Sequence, residues 1–257
     1  MSELKNLAKF RRYLLEDSAL LIVRGDIAPV VEGMKTYNAR YGVPPPRENL
    51  NSLIHELLAG AALSAVSLAD RESWGWSLTF KGMKAGFFIG VEPEGMICLR
   101  VVDADSEKAS CLVQRQKAGL PLTQSHMTPG IRSPGDVVEQ YFQEVDQTKT
   151  RLAIRTDGES VLVHALPDGD FGVIKRLNAG ELFSFVDRSI DAGKVKEAGE
   201  VFIFYECRCS EGMISGMVEN MNELDRRDLF GDLARLDIEC PRCGRKYTVT
   251  RKETRIH

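Results

Sequence analysis

Cys207-Arg208-Cys209-Ser210 and Cys240-Pro241-Arg242-Cys243-Gly244 decide how the last part of this 257-residue chain folds, because they hold four of its six cysteines as two close pairs. Thirty residues separate Cys209 from Cys240. Two thiols on one tight turn supply two ligands from one side, and the intervening loop brings the second pair round to complete a tetrahedron. Four thiolates with no histidine between them suit zinc, a d¹⁰ ion that accepts all-sulfur tetrahedra. Pro241 and Gly244 are turn formers of the kind such a knuckle needs. The competing reading is four buried thiols or structural disulfides, but scattered core cysteines do not arrive as two pairs. The sequence therefore predicts a single Zn²⁺ held by Cys207, Cys209, Cys240 and Cys243.

The CxC spacing is the unusual part, since zinc knuckles are ordinarily CxxC at both ends. A metal here ties Cys207 and Cys209 to Cys240 and Cys243 across the long loop. Disulfides between near neighbours would use all four sulfurs yet close only tiny rings, and the benefit of loop closure grows with loop size. Binding a structural zinc is worth on the order of 10–16 kcal/mol and is largely folding free energy. Oxidation with loss of the metal would unfold the module while leaving its chain intact, although the sequence leaves the disulfide pairing open.

This arrangement resembles the redox-regulated 33-kilodalton heat-shock chaperone family, whose C-terminal switch is a CxC followed about this far on by a CxxC. Phe202-Ile203-Phe204-Tyr205-Glu206 looks like the family's strand entering the zinc site. Ser210 then opens a helix, and Leu236-Asp237-Ile238-Glu239 leads into Cys-Pro-Arg-Cys-Gly, with Tyr247 and Val249 beyond. Weaker counterparts lie upstream in Arg24-Gly25, Leu57-Leu58-Ala59-Gly60, Glu139-Gln140-Tyr141-Phe142, Arg151-Leu152-Ala153-Ile154-Arg155 and Leu166-Pro167. The resemblance implies that the four cysteines are zinc ligands and redox-active thiols. It further implies an ATP-independent holdase that binds unfolding client proteins under oxidative stress, as a possible homodimer when oxidised. Three features depart from the family. Val145-Asp146-Gln147 replaces its Ser-Glu-Gln, the segment after Met127-Thr128-Pro129-Gly130 is short by a strand, and the stretch from Pro167 to Cys207 is shorter than its helical linker.

The rest of the chain fits an α+β layout, helices first and then a meander of strands. Residues 5–15, with Leu7, Phe10, Leu14 and Leu15 apolar, predict a short helix. Ala19–Val23 predicts a strand and 28–40 a helix. After the prolines at 44–46, Leu50, Leu53, Ile54, Leu57, Leu58, Ala61, Ala65 and Leu68 recur at helical spacing, the mark of core packing more than of a partner groove. Trp74, Trp76, Leu78 and Phe80 then alternate with small polar residues, as one face of a strand does. Strands are expected at 86–91, at 97–101 and within 110–124, a helix at 134–144, and strands at 151–155 and 161–167. An amphipathic helix with Leu182, Phe183, Val186 and Ile190 on one face precedes Gly193. The domains expected are an N-terminal mixed helix and antiparallel-sheet core at 1–175, a helical linker at 176–200 and a small zinc-binding redox-switch domain at 201–257.

Composition excludes little but points one way. A 43% apolar content supplies a core, and a net charge of −3 argues against a generally nucleic-acid-coating protein. There is no apolar signal region, and no apolar run approaches the ~18 residues of a membrane span. Thiols that must stay reduced suit the cytoplasm. Cys98 and Cys111 stand alone and read as buried, unreactive thiols. His55-Glu56-Leu57-Leu58-Ala59 begins like a zinc-protease helix but lacks the second histidine. His126, His164 and His257 form no pattern. Met213, Met217 and Met221 read as core of the zinc module, or as flexible client contacts once exposed. No nucleotide-binding loop or catalytic carboxylate pair is present, so no enzyme activity is expected. Arg242, Arg245, Lys246, Arg251, Lys252 and Arg255 keep an alternative open, a zinc-stabilised module that binds nucleic acid or a protein with a purely structural metal. A thiol oxidoreductase lacks the βαβ context its CxxC would need.

Overall fold

In the computed structural model, which describes residues 6–68, 72–130 and 134–251, the chain opens with a hairpin of β1 (Leu7–Leu15) and β2 (Leu20–Asp26). Helices α1 (Ala28–Tyr41) and α2 (Asn51–Ser67) follow. Next come β3 (Ser73–Thr79), β4 (Gly86–Val91), β5 (Met96–Val102), β6 (Ser110–Gln116) and β7 (Thr123–Met127). After α3 (Pro134–Glu144) lie β8 (Thr150–Ile154), β9 (Glu159–Ala165), α4 (Ala179–Asp191) and the long β10 (Val195–Tyr205). Helices α5 (Glu211–Glu219) and α6 (Glu223–Phe230) and a hairpin of β11 (Arg235–Glu239) and β12 (Lys246–Thr250) complete the described chain.

Among the described residues ten strands form one sheet in the order β7-β6-β3-β4-β5-β10-β1-β2-β9-β8. β10 is the seam. It pairs antiparallel with β1 along its length and parallel with β5 through Phe204–Met96 and Tyr205–Ile97. It begins within the stretch read as linker and runs without interruption past residue 200 into the stretch read as switch domain.

The expected helix at 5–15 is instead strand β1. Ala8 and Phe10 point into the large core beneath α2, while Tyr13 and Leu15 point to the opposite face and a second core. The buried face switches at the register shift between Arg12 and Tyr13, which breaks the period-2 signal of a half-exposed strand and leaves its apolar residues at helical intervals. The second face is covered by α4, whose Leu182, Phe183 and Val186 pack on Tyr13, Leu15, Leu20, Ile22, Val161 and Val163. Asn178 and Glu181 cap α4 reciprocally, each side chain taking the other's backbone N–H. Arg24 of β2 reaches both Glu159 and, at 2.5 Å, Asp187 of α4.

On the first face α2 lies across the sheet with Leu57, Leu58, Ala61, Ala62 and Leu63 buried. α3 crosses it so closely that a Cβ at Gly60 would stand 2.8 Å from a methyl of Val138. Glu48–Ser67 is long and apolar enough to cross a membrane, with mean hydropathy 1.2, contrary to the sequence expectation, yet 67% of that stretch is buried inside the fold. It serves as a core helix.

His164 of β9 is enclosed, its Nδ1 2.7 Å from Thr150 Oγ1 and its ring 4.5 Å from that of Phe142. Burial lowers its pKa from the ordinary 6.5 to about 4. Above pH 6.5 both folded and unfolded chains hold it neutral. As pH falls from there towards 4, the unfolded chain takes up a proton that the folded chain refuses, so stability falls by up to about 3 kcal/mol. Urea midpoints of the native chain are therefore expected to drop between pH 7 and pH 4.5 more steeply than those of a His164→Asn variant. Parallel pH profiles for the two chains would contradict this.

Candidate metal centre

The strand that seams the sheet delivers the first cysteine pair. β10 ends at Tyr205, and Cys207 and Cys209 follow before Ser210 caps α5 by accepting the N–H of Met213 at 3.2 Å. The second pair sits in the turn between β11 and β12. Cys240 N–H donates to Arg245 O at 2.8 Å and Gly244 N–H to Cys240 O at 2.9 Å, and Gly244 takes a φ of 79° that favours glycine.

The four sulfurs converge. All lie within 4.8 Å of one another and all four residues are buried. Cys207 and Cys240 Sγ are 4.0 Å apart, and Cys209 and Cys243 Sγ 3.5 Å. A tetrahedron of thiolates with metal–sulfur bonds of about 2.3 Å has edges of about 3.8 Å. The cluster is thus positioned to hold a metal ion, and its all-sulfur donor set suits a soft or borderline one. Crowding also splits the thiols. Sulfur-to-sulfur hydrogen bonds from Cys240 and Cys243 push Cys207 up, while the bond with Cys207 pulls Cys240 down.

A shell of side chains from the large core fixes this cluster. Tyr247 Oη donates to Cys209 O at 3.0 Å and lies 3.1 Å from its sulfur. Tyr37 of α1 donates to Cys243 Sγ at 3.4 Å. Burial and its hydrogen bond with Cys243 hold the Tyr37 hydroxyl well above its ordinary pKa, so it remains a donor. Arg100 of β5 donates to Cys240 O and to Glu239, each at 2.6 Å. Arg242 and Arg208 both reach Glu92, the latter at 3.3 Å. None of Tyr37, Glu92 or Arg100 was legible as a site residue, because each lies more than a hundred positions from the cysteines it supports.

Cys98 stands differently from its expected isolation. It is buried in β5, and a hydrogen bond with Cys207 pulls its thiol below the ordinary pKa despite that burial. Among the described residues Cys111 has no such neighbour, and burial pushes it up to about 12. The helix α5 turns Ile214 and Val218 inward, whereas Met213 and Met217 are exposed. Met213 and Met217, expected in the module's core, are therefore on its surface, one position round the helix from the residues that fill it, while Met221 beyond α5 is half-buried. The basic run is engaged within the chain. Arg242 pairs with Glu92, Arg245 lies 3.8 Å over the Tyr41 ring, Lys246 is 3.7 Å from Glu239, and Arg251 donates to Gly231 O. Lys252, Arg255 and His257 lie outside the described residues.

Residues 131–250, just under half of the chain, match the sequence model of a family described as Hsp33 protein. Over that stretch the chain is similar to the Hsp33 family. It is 24% identical over 275 residues to a 33 kDa chaperonin of Sodalis glossinidius, covering 93% of this chain and 91% of that one. A 33 kDa chaperonin of Vibrio parahaemolyticus is likewise 24% identical, with 94% and 92% covered. The crystal structure of the 33 kDa chaperonin (HSP33) from Thermotoga maritima superimposes with a TM-score of 0.68 over 96% of this chain and 95% of that one, at 14% identity. The α+β fold class therefore holds, and the Hsp33 match contains both cysteine pairs.

Replacing any one of Cys207, Cys209, Cys240 or Cys243 by Ser is expected to lower the metal retained through dialysis at least tenfold, read by elemental mass spectrometry. Cys98→Ser and Cys111→Ser should retain native metal content. Equal metal in all six variants would remove the cluster as the binding site.

Proposed function

We propose that this protein is an ATP-independent chaperone of the holdase type whose client binding is governed by the redox state of Cys207, Cys209, Cys240 and Cys243. The observation that carries the reading is the convergence of two sequence-adjacent thiol pairs into one buried cluster at the end of β10. The Hsp33 match and the chaperonin names of the relatives support the chaperone part. Zn²⁺, when bound by the four thiolates, supplies the cross-link between the CxC and CxxC turns. The four cysteines are both its ligands and the redox-active groups.

Under peroxide, each neighbouring pair of thiols gives two electrons to one H₂O₂, forming one S–S bond and two waters. A cleft of about 300 Å³, lined by Pro44, Pro45, Leu99, Arg100, Glu239, Cys243 and Gly244, gives a small oxidant a path to Cys243. Once Cys207–Cys209 and Cys240–Cys243 are paired, no sulfur joins the two turns. The region after β10 then loosens and exposes apolar surface to unfolded clients, with the oxidised chain as a homodimer. The linker α4 is short and well packed, so loosening centres on residues 201–257 and spreads back along β10. Thiols that must stay reduced to hold a metal suit the cytoplasm. No enzymatic step is assigned to it. The internal engagement of Arg242, Arg245, Lys246 and Arg251 argues against the alternative of a nucleic-acid-binding module.

The pairing discriminates sharply, because the shortest sulfur contacts join the two turns. Peroxide titration with a chromogenic zinc chelator, light scattering of a heat-denatured client and disulfide mapping test the reading together. Zinc is expected to leave as Cys207–Cys209 and Cys240–Cys243 form and as aggregation becomes suppressed. Cys207–Cys240 and Cys209–Cys243 disulfides, which would preserve the cross-link, or equal protection by the reduced chain, would contradict it.

A further inference from the structure

We propose that Glu92 is the positioning residue of the cysteine centre, a single buried carboxylate that clamps both cysteine turns to the sheet and thereby sets how readily the metal is lost to oxidants. Glu92 follows the last residue of β4 and lies in the turn to β5, held by its own N–H to Met96 O and by the N–H of Gly95 to its carbonyl. Its side chain is only 3% exposed. One carboxylate oxygen takes Arg242 Nη2. The other takes Arg208 Nη1 at 3.3 Å and Ser73 Oγ at 2.9 Å.

Those two arginines lie between the ligands, with Pro241. Arg208 is the middle residue of the CxC, and Arg242 stands inside the CxxC. One carboxylate therefore bonds to both halves of the site, beside the sulfurs, the Tyr247–Cys209 hydrogen bond and the core packing that also join them. The route is cleared for it. The Arg242 guanidinium passes over Gly90 so closely that a Cβ there would lie 2.6 Å from Nη2. The Arg242 pair is costly to break from one side, because that guanidinium, only 22% exposed, loses its counter-charge in a poorly solvated place, whereas Arg208, 55% exposed, is tethered by a weaker, solvated contact. Here the partners left behind are the arginines nearest the thiols, so loss of Glu92 frees both turns at once.

The inference rests on the centre being metal-loaded, as proposed above, but not on any chaperone activity. Its test is the rate at which the full-length reduced chain releases zinc to a chromogenic chelator at fixed peroxide. Wild type is compared with Glu92→Gln, Arg242→Gln, the double variant and Gly90→Ala. Glu92→Gln is expected to release zinc roughly tenfold faster, as loss of one partner of a buried charged pair implies. The double variant should release no faster than Glu92→Gln, and Gly90→Ala should approach its rate without altering the carboxylate. The urea midpoint followed by Trp74 and Trp76 fluorescence should stay near that of wild type. Unchanged release in Glu92→Gln, additive effects in the double variant, or acceleration matched by an equal loss of global stability would each overturn the assignment. A chain that never protects a client would still give a clear answer, so failure of the chaperone reading and failure of this one are separable.

Discussion

Four sulfur atoms brought within 4.8 Å of one another are the constraint on which the C-terminal part of this protein depends. The module after β10 has two short helices and one two-stranded hairpin, with Ile214, Val218, Phe230, Tyr247 and Val249 as its buried apolar residues. So few residues cannot bury enough surface to fold alone, and small units of this size ordinarily need a metal or disulfides. The module's apolar residues are continuous with the large core, so it is docked as well as cross-linked. Sulfur convergence and docking reinforce each other, because Tyr37, Arg100 and Glu92 reach the cysteine turns from the body of the protein.

The position of β10 gives that constraint its reach. The strand is hydrogen-bonded along β1 on one side but meets β5 through only two residue pairs on the other. Those two pairs are the last residues before the CxC turn. Any loosening at Cys207 is thus felt first where the two halves of the sheet meet, the least extensively paired place in it. α4 protects the other end, capped at Asn178 and tied to β2 by Arg24 and Asp187.

Much of this was legible in the sequence for reasons of locality. The cysteine pairs announce themselves because ligand spacing on a tight turn is a short-range property. The alternation of Trp74, Trp76 and Leu78 is a short-range property of a strand with one buried face. β1 was not legible, since Phe10 and Tyr13 serve different cores and erase the alternation. Met213 and Met217 were misplaced because a short helix with apolar residues at adjacent positions does not declare which of them face inward. Glu92, Arg100 and Tyr37 join the site only through tertiary contact, and an isolated acid or tyrosine carries no pattern. Cys98 reads as solitary for the same reason, although the Tyr205–Ile97 pairing of β10 with β5 brings it beside Cys207.

We propose that a metal ion bound by the four thiolates holds the module in place. It is tested most directly by hydrogen exchange of the reduced full-length chain, compared with and without chelation of its metal under a thiol reductant. The account predicts that amides of α5, β11 and β12 lose protection on chelation while those of β1, β2 and α2 keep theirs. Unchanged protection across residues 207–250 after complete metal removal would show that core packing alone holds the module, and would contradict the account.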